Sequence, residues 1–193
     1  MNRIRIKVVS AATMMLLLSV TALPAQAAKY KIDPAHSFIE FSILHLGYSV
    51  LKGRFNTLRG SFEYDEIKPY KTSVQVEVDT RSIDSNHAER DKHLRSSDFL
   101  DSGKYPKASF KSTGFKQTGD KGTLTGDLTL HGVTRGITMV VEEIGAGDDP
   151  WGGFRRGFKG STPLLRSDYG IDHYLGPKSA SLELLVYIEG IRE

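Results

Sequence analysis

The chain has 193 residues, no cysteine and a formal net charge of +3. The lack of cysteine excludes disulfides, thiolate metal sites, cysteine nucleophiles and a lipid-modified N-terminal cysteine. Residues 1–27 contain three basic residues and no acidic one, so a chain starting at Ala28 has 23 of each and no net charge, which excludes the basic footprint of a nucleic-acid-binding protein.

The N-terminus has the order of a Sec signal peptide. Three basic residues lie within the first seven positions, an apolar run covers 11–20, and Ala-Gln-Ala stands at 25–27. We predict cleavage after Ala27 and export of the mature chain to the periplasm. An uncleaved anchor is the alternative, because residues 8–25 approach the length of about 20 residues that spans a bilayer.

Alternating apolar and polar residues then predict strands along the mature chain. The predicted strands cover 38–45, 54–64, 72–80, 107–115, 124–130, 137–141, 154–162 and 182–188. Turn signals rich in Gly, Asp and Pro separate them. About eight antiparallel strands with short connections favour one domain over 28–193, an up-and-down barrel that can hold one ligand. A two-sheet sandwich is the alternative.

One charged segment interrupts the strand pattern and predicts a helix over about 86–100. Asn86 can cap it, with Glu89 as the reciprocal partner. Two pairs of opposite charge follow at i,i+4 spacing: Glu89 with His93, and Asp91 with Arg95. Few apolar residues punctuate the segment, so we expect a surface lid over one barrel mouth. His87 and Asp91 share one side of the helix and Glu89 and His93 the other, so we predict no metal site on it.

Long stretches of the chain resemble the YceI family of periplasmic, lipocalin-like proteins that bind polyisoprenoid lipids. The matching stretches are Tyr-Lys-Ile-Asp at 30–33, His-Leu-Gly-Tyr-Ser at 45–49, the run from Asn86 to Ser96, Asp-Phe-Leu at 98–100, Lys-Tyr-Pro at 104–106, Gly-Asp-Leu-Thr-Leu at 126–130, Gly-Val-Thr at 132–134 and the Gly-Asp-Asp-Pro-Trp-Gly-Gly loop at 147–153. Gly136 stands where a Pro is expected, which concerns how that strand begins.

The resemblance implies an eight-stranded antiparallel lipocalin-like β-barrel with an apolar tunnel for a long isoprenoid amphiphile, such as a polyprenyl phosphate or pyrophosphate or an isoprenoid quinone. The residue pattern alone leaves open whether the apolar faces form an ordinary core or a tunnel; the resemblance favours the tunnel. We therefore expect ligand contacts from Ile39, Phe41, Ile43, His45, Phe62, Val74, Val76, Val78, Phe110, Leu128, Met139, Phe154, Arg156, Phe158, Leu184 and Val186.

Two polar residues of this set are candidates for the lipid head group. His45 ends an inward face, and Arg156 lies between Phe154 and Phe158 on another. An inward Arg can pair with a pyrophosphate or polarise a quinone carbonyl, so we hypothesise that Arg156 anchors the head group. For Trp151, a buried plug is favoured over a membrane contact supported by the neighbouring basic residues.

The expected function is binding and transport of the lipid, with no cofactor other than the bound isoprenoid lipid and no catalysis. Expected partners are the isoprenoid lipid or quinone, a membrane in transient contact, a b-type membrane cytochrome on family association alone, and a second copy in a homodimer. The alternatives are an enzyme that acts on a lipid held in the barrel, with His45 or a residue at the mouth as acid or base, and a stress-related structural protein with a filled core.

Overall fold

The predicted alternation forms antiparallel strands along the chain. The computed structural model describes residues 27–119 and 121–193, so the predicted signal peptide lies outside the described residues except for Ala27. The strands are β1 Ala28–Ile32, β2 Phe38–His45, β3 Ser49–Phe55, β4 Leu58–Tyr64, β5 Ser73–Asp79, β6 Ile83–Asp84, β7 Lys107–Thr118, β8 Lys121–Leu130, β9 Val133–Asp148, β10 Phe154–Leu165 and β11 Ser181–Arg192. One α-helix, α1, covers Ala88–Leu94.

Short 3₁₀ turns connect several of these strands: Pro69–Lys71, Thr80–Ser82, Arg166–Tyr169 and Pro177–Ser179. Within the described ranges, no helix combines the length and the apolar character needed to cross a membrane.

The eleven strands occupy eight positions around a closed barrel. β1 and β2 lie in line against β11 and together form one position. β4 and β3 lie in line against β1 and β2, and β5 and β6 in turn against β4 and β3, so each of these pairs also forms one position. The last strand, β11, pairs with both β1 and β2, which closes the sheet. The predicted eight-stranded antiparallel barrel is therefore confirmed, and the sandwich alternative is wrong.

The predicted helix is shorter than the segment that suggested it. Its cap is His87, whose Nδ1 accepts from the Arg90 N–H at 3.2 Å, whereas Asn86 adopts a left-handed φ of 63°. Asp91 is the buried residue of the helix, and its carboxylate accepts from the N–H and Oγ of Ser85 at 2.8 and 2.5 Å. The helix is thus fastened through Asp91 to the end of β6.

The predicted i,i+4 ion pairs do not form among the described residues. His93 instead contacts Asp98, with 2.9 Å between Nε2 and Oδ2. The Asp91 carboxylate instead accepts a hydrogen bond from the Ser85 N–H. After Leu94 the chain folds back on itself, with the Leu100 N–H donating to the Leu94 carbonyl at 3.1 Å. We call residues 88–100, the helix and this turn, the lid segment.

The barrel has two different ends. At the helix end lie the lid segment, the β2–β3 turn and the β10–β11 connection, residues 166–180. At the opposite end lie the β4–β5, β7–β8 and β9–β10 connections. We call this second end the ion-paired end, for the contacts described below.

Candidate functional site

A cavity of about 710 Å³ runs inside the barrel between the two ends. Leu46, Phe99 and Tyr174 line it at the helix end, and Tyr64, Phe115 and Phe158 line it at the ion-paired end. The volume falls within the range of about 300–1,000 Å³ typical of small-molecule sites. The alternative of a barrel filled by its own side chains is therefore not what the structure shows.

Fourteen of the sixteen predicted ligand-contact residues line this cavity. They are Ile39, Phe41, Ile43, His45, Phe62, Val74, Val76, Val78, Phe110, Leu128, Met139, Phe158, Leu184 and Val186. Period-two alternation placed them correctly because side chains on a strand point to opposite faces in turn. The two exceptions, Phe154 and Arg156, lie outside the cavity lining.

Glycines on neighbouring strands give the aromatic rings room to lie against the barrel wall. A Cβ at Gly53 would come within 2.4 Å of the Phe41 ring, and one at Gly126 within 2.4 Å of the Phe110 ring. The same relation places the Phe115 ring at 2.3 Å from a Cβ on Gly122. Real Cβ atoms do not approach a ring so closely. A side chain at any of these glycines would therefore push the neighbouring ring into the lumen and reduce the volume of the cavity.

Much of the lining at the helix end comes from outside the predicted strands. Leu94, Phe99 and Leu100 come from the lid segment, and Ile171 and Leu175 from the β10–β11 connection. For the residues of the lid segment, the sequence offered one signal: they are apolar residues within an otherwise charged stretch. The residues of the β10–β11 connection follow a turn, where no periodicity marks a buried face.

Arg156 lies at the ion-paired end, outside the cavity lining. The side chain is buried, and Nη1 donates to Glu143 Oε1 at 2.7 Å while Nη2 pairs with Glu66. Its guanidinium also lies 4.4 Å from the centre of the Tyr64 ring. Burial, assisted by the charge of Glu143, raises the pKa of Tyr64. Arg156 thus faces inward as predicted, but two carboxylates take its donors, which disfavours the head-group role.

A second network surrounds Arg155 at the same end. Its guanidinium lies 2.8 Å from Asp33, 2.9 Å from Asp149 and 2.5 Å from Glu189. Hydrogen bonds from His36 and then Arg155 lower the pKa of Asp33 to about 2. Lys159 pairs with Glu142 at 3.0 Å. The basic residues between 154 and 159 are therefore neutralised within the protein, which disfavours this stretch as a docking site for anionic lipid.

Trp151 does not plug the barrel. Its side chain is 78% exposed, beside the Arg155 guanidinium at 5.4 Å from the ring centre. The cause is the tight loop around Asp149, whose Oδ1 accepts from the N–H groups of Trp151 and Gly153 at 3.0 and 2.8 Å. This loop turns the indole outward, so the favoured expectation of a plug was wrong.

The helix end has the opposite electrostatic character. Arg90 and Arg166 both line the cavity. Arg90 donates to Ser85, and Arg166 donates to the carbonyls of Ser179, Ile171 and His173 at 2.8–3.2 Å. Neither forms an ion pair with a carboxylate among the described residues. Two cationic groups without bound counter-charge therefore border the lumen.

The rim of the helix end exposes large apolar side chains. Leu46, Tyr48 and Val50 of the β2–β3 hairpin are 51%, 86% and 56% exposed, and Tyr174 of the β10–β11 connection is 82% exposed. Leu46 and Tyr174 also line the cavity, so the exposed rim is continuous with the lumen. His45 lies exposed on this rim. Among the described residues, no carboxylate forms a hydrogen bond with His45.

The comparisons with known proteins place residues 30–189 in one family. The model of the YceI-like domain matches residues 30–189. A UPF0312 protein of Pseudomonas aeruginosa strain LESB58 is 55% identical over 175 residues, 90% of this chain and 92% of the relative. Protein YceI of Escherichia coli O157:H7 is 49% identical over 171 residues, 88% of this chain and 90% of the relative.

Solved structures share the fold at lower identity. BcnA of Burkholderia cenocepacia superposes with a TM-score of 0.73 at 22% identity, covering 82% of this chain and 98% of BcnA. A polyisoprenoid-binding domain from Saccharophagus degradans, implicated in plant cell wall breakdown, superposes with a TM-score of 0.64 at 16% identity. It covers 87% of this chain and all of that domain. At identities this low, the comparisons with solved structures show a shared fold alone.

Proposed function

The chain belongs to the YceI-like domain family, and from that premise we propose that it is a periplasmic binding protein that carries a long isoprenoid amphiphile. The observation that carries the proposal is the apolar cavity of about 710 Å³ inside the barrel. The polyisoprenoid-binding domain of the same fold supports this class of ligand. The predicted signal peptide supports the compartment.

The energetics assign the tail and the head group different tasks. Burial is worth roughly 0.8 kcal/mol per CH₂ relative to water, so a tail of about forty carbons would sum to about 30 kcal/mol, above the practical ceiling of about 20 for non-covalent binding. Such a lipid starts in a membrane, however, where its tail is already dry. Transfer of the tail is then close to neutral, and selectivity depends on the lumen and on contacts with the head group.

We assign the head group to the helix end. Among the described residues, Arg90 and Arg166 border the lumen there without carboxylate partners, whereas Arg156 at the other end is paired with Glu66 and Glu143. A phosphate or pyrophosphate accepts charge-assisted hydrogen bonds from guanidinium groups, and a quinone carbonyl accepts weaker ones. The tail would then extend toward Tyr64 and Phe158.

The exposed rim fits loading from a membrane. Tyr48 and Tyr174 are exposed at this end, and tyrosine is enriched at bilayer interfaces; Val50 adds exposed apolar surface beside them. Transient contact of this rim with a membrane would let a lipid enter the lumen without crossing water. We expect no such membrane contact at the basic residues near Trp151, because carboxylates within the protein neutralise them.

The experiment that tests the proposal is native mass spectrometry of protein purified from the periplasm without detergent, after expression of the full precursor. We expect a stoichiometric prenyl phosphate, prenyl alcohol or quinone, released intact on denaturation, on a chain that starts at Ala28. A protein that is empty and takes up no such lipid from vesicles contradicts the proposal. A bound lipid that is consumed over time supports the enzyme alternative instead.

A further inference from the structure

A cluster of two histidines and one carboxylate lies beside the tunnel mouth. His93 Nε2 is 2.9 Å from Asp98 Oδ2, and His173 Nδ1 is 3.9 Å from the same oxygen. All three ligand atoms lie within 4.8 Å of one another. The cluster joins two parts of the chain that are distant in sequence: His93 and Asp98 belong to the lid segment, and His173 to the β10–β11 connection.

The spacing of the three atoms fits a bound metal ion. A point equidistant from three atoms with separations of 2.9, 3.9 and at most 4.8 Å lies no more than about 2.4 Å from each of them in their common plane. Bonds from Zn²⁺ to imidazole nitrogen and carboxylate oxygen are about 2.0–2.2 Å long. Around a tetrahedral ion with such bonds the ligand atoms lie about 3.4 Å apart, so the separations of 2.9 and 3.9 Å would each change by about half an ångström when the ion binds.

Aromatic packing holds the rings in this arrangement. The Phe99 ring lies 5.0 Å from the ring of His93, edge to face, and 4.9 Å from that of His173. The two imidazoles are themselves 5.4 Å apart. Because Phe99 is buried, it acts as a fixed support between the two histidines. Rings that are already positioned lose less entropy when they bind a ligand.

The charges around the His93–Asp98–His173 cluster also favour binding of a cation. A second cluster of similar residues, which lies beside an arginine, provides a comparison. At the ion-paired end, Asp33, His36 and Glu189 are equally close together, but the Arg155 guanidinium already bonds both carboxylates. Within the described residues, the two histidine rings are the basic groups that lie within 4.0 Å of the Asp98 carboxylate, and no lysine or arginine does. The carboxylate beside the mouth is therefore open to a metal ion, and the other pair is not.

We propose that His93, Asp98 and His173 bind a divalent transition-metal ion of the zinc type, which ties the lid segment to the β10–β11 connection. Two imidazoles and one carboxylate suit Zn²⁺ and similar ions rather than Mg²⁺ or Ca²⁺, which prefer oxygen ligands alone. The three side chains are between about one third and one half exposed, so water completes the coordination. Affinity falls in acid, because imidazole must be neutral to bind.

A bound ion would cross-link both walls of the opening. His93 lines the cavity, and Tyr174 and Leu175, directly after His173, line it from the other side. The ion would therefore slow exchange of a bound lipid. This last consequence rests on the proposed function, whereas binding of the metal does not.

The test is isothermal titration of untagged mature protein with Zn²⁺ alone, followed by NMR of the histidine rings. We expect one ion per chain, joint shifts of the His93 and His173 ring signals, and at least about tenfold weaker binding in His173→Ala and Asp98→Asn. His36→Ala is the matched control, since His36 also sits 2.8 Å from an aspartate, and it should bind Zn²⁺ like the wild type.

The proposal is overturned if the wild type binds no Zn²⁺, if His173→Ala and Asp98→Asn bind it equally well, or if His36→Ala abolishes binding. His93→Gln gives a second variant that keeps a polar side chain of similar reach. Since no lipid enters this experiment, a negative result leaves the lipid proposal intact, and an empty tunnel leaves the metal proposal intact.

Discussion

The two ends of the barrel are built from the same strands but stabilised by different forces. At the ion-paired end, Arg155 and Arg156 contact five carboxylates, those of Asp33, Asp149, Glu189, Glu66 and Glu143. At the helix end, Arg90 and Arg166 donate to backbone oxygens and a serine, and apolar side chains form an exposed rim. Carboxylates thus pair with the arginines of one end, whereas the arginines that line the cavity at the other end have no carboxylate partner among the described residues.

This difference gives the tunnel a direction. Breaking a buried ion pair leaves a charge in a low-dielectric site and is costly, so the ion-paired end resists opening. Between the lid segment and the β10–β11 connection, the contacts are apolar packing and one exposed carboxylate–imidazole contact, so we expect them to open at lower cost. We therefore expect the lipid to enter and leave at the helix end.

The largest expected effect comes from blocking the lumen between the two ends. Val141 faces the cavity, and its neighbour Val140 is 56% exposed on the outside of the same strand. Val141→Trp should lower lipid uptake from vesicles by about tenfold or more, because an indole fills the lumen. Val140→Trp is the matched control and should take up lipid normally. Equal uptake by both variants would show that the lipid binds elsewhere.

The next largest effect concerns the head group of the lipid, which we assign to the helix end. Arg90→Gln removes one of the cations beside the lumen and should weaken binding of a prenyl phosphate by roughly tenfold, corresponding to the loss of a charged hydrogen bond worth about 1.5–3 kcal/mol. Binding of an uncharged prenyl alcohol should stay the same. Competition with a labelled lipid measures both. A loss that is equal for the two lipids would point to a structural role of Arg90 instead.

At the ion-paired end we expect a change in stability rather than in binding. Arg156→Ala leaves Glu143 without its partner and should destabilise the fold by about 2 kcal/mol, which lowers Tm by about 4–8 °C in a chain of this size. The identity and amount of bound lipid should not change. Thermal unfolding and mass spectrometry test the two halves separately, and loss of the lipid without loss of stability would restore Arg156 as the head-group anchor.

The smallest effect is on acid stability. The pKa of Asp33 is lowered to about 2, from 3.8, so its contribution to folding is complete above about pH 4 and is lost as the pH falls toward 2. Asp33→Asn should remove about 1 kcal/mol at neutral pH, after allowance for solvent screening, and flatten the decline in acid. Urea unfolding across this range measures it. Asp148→Asn, at an exposed position nearby, should leave the profile as in the wild type.

The sequence predicted the wall of the barrel well and its ends poorly. Strand periodicity is local, so Val74, Val76 and Val78 could be assigned to one face without knowledge of the fold. At the two ends of the barrel, the side chains that contact each other are distant in sequence. Glu66 and Arg156 lie 90 residues apart, and His131 forms a hydrogen bond with the carbonyl of Tyr169, which is 38 residues away. No local pattern records such pairs.

Two sets of contacts that the sequence did not predict share this cause. Arg156 was correctly assigned an inward direction, but its carboxylate partners come from other strands and loops. The lid segment was correctly assigned a helix, but His93 pairs with Asp98 beyond the helix end, not with Glu89 within it. Alternation and propensity specify direction and element type, whereas the partner of a charged side chain depends on tertiary contacts.

The most direct test of the tunnel and its direction is photo-crosslinking with two prenyl phosphate probes. One probe carries a diazirine at the head group, and the other carries it at the end of the tail. We expect the first to label Leu46, Phe99 or Tyr174 at the helix end, and the second to label Tyr64, Phe115 or Phe158 at the ion-paired end. Reversed labelling, or labelling by both probes of outer residues such as Val140 and Trp151, would contradict the account.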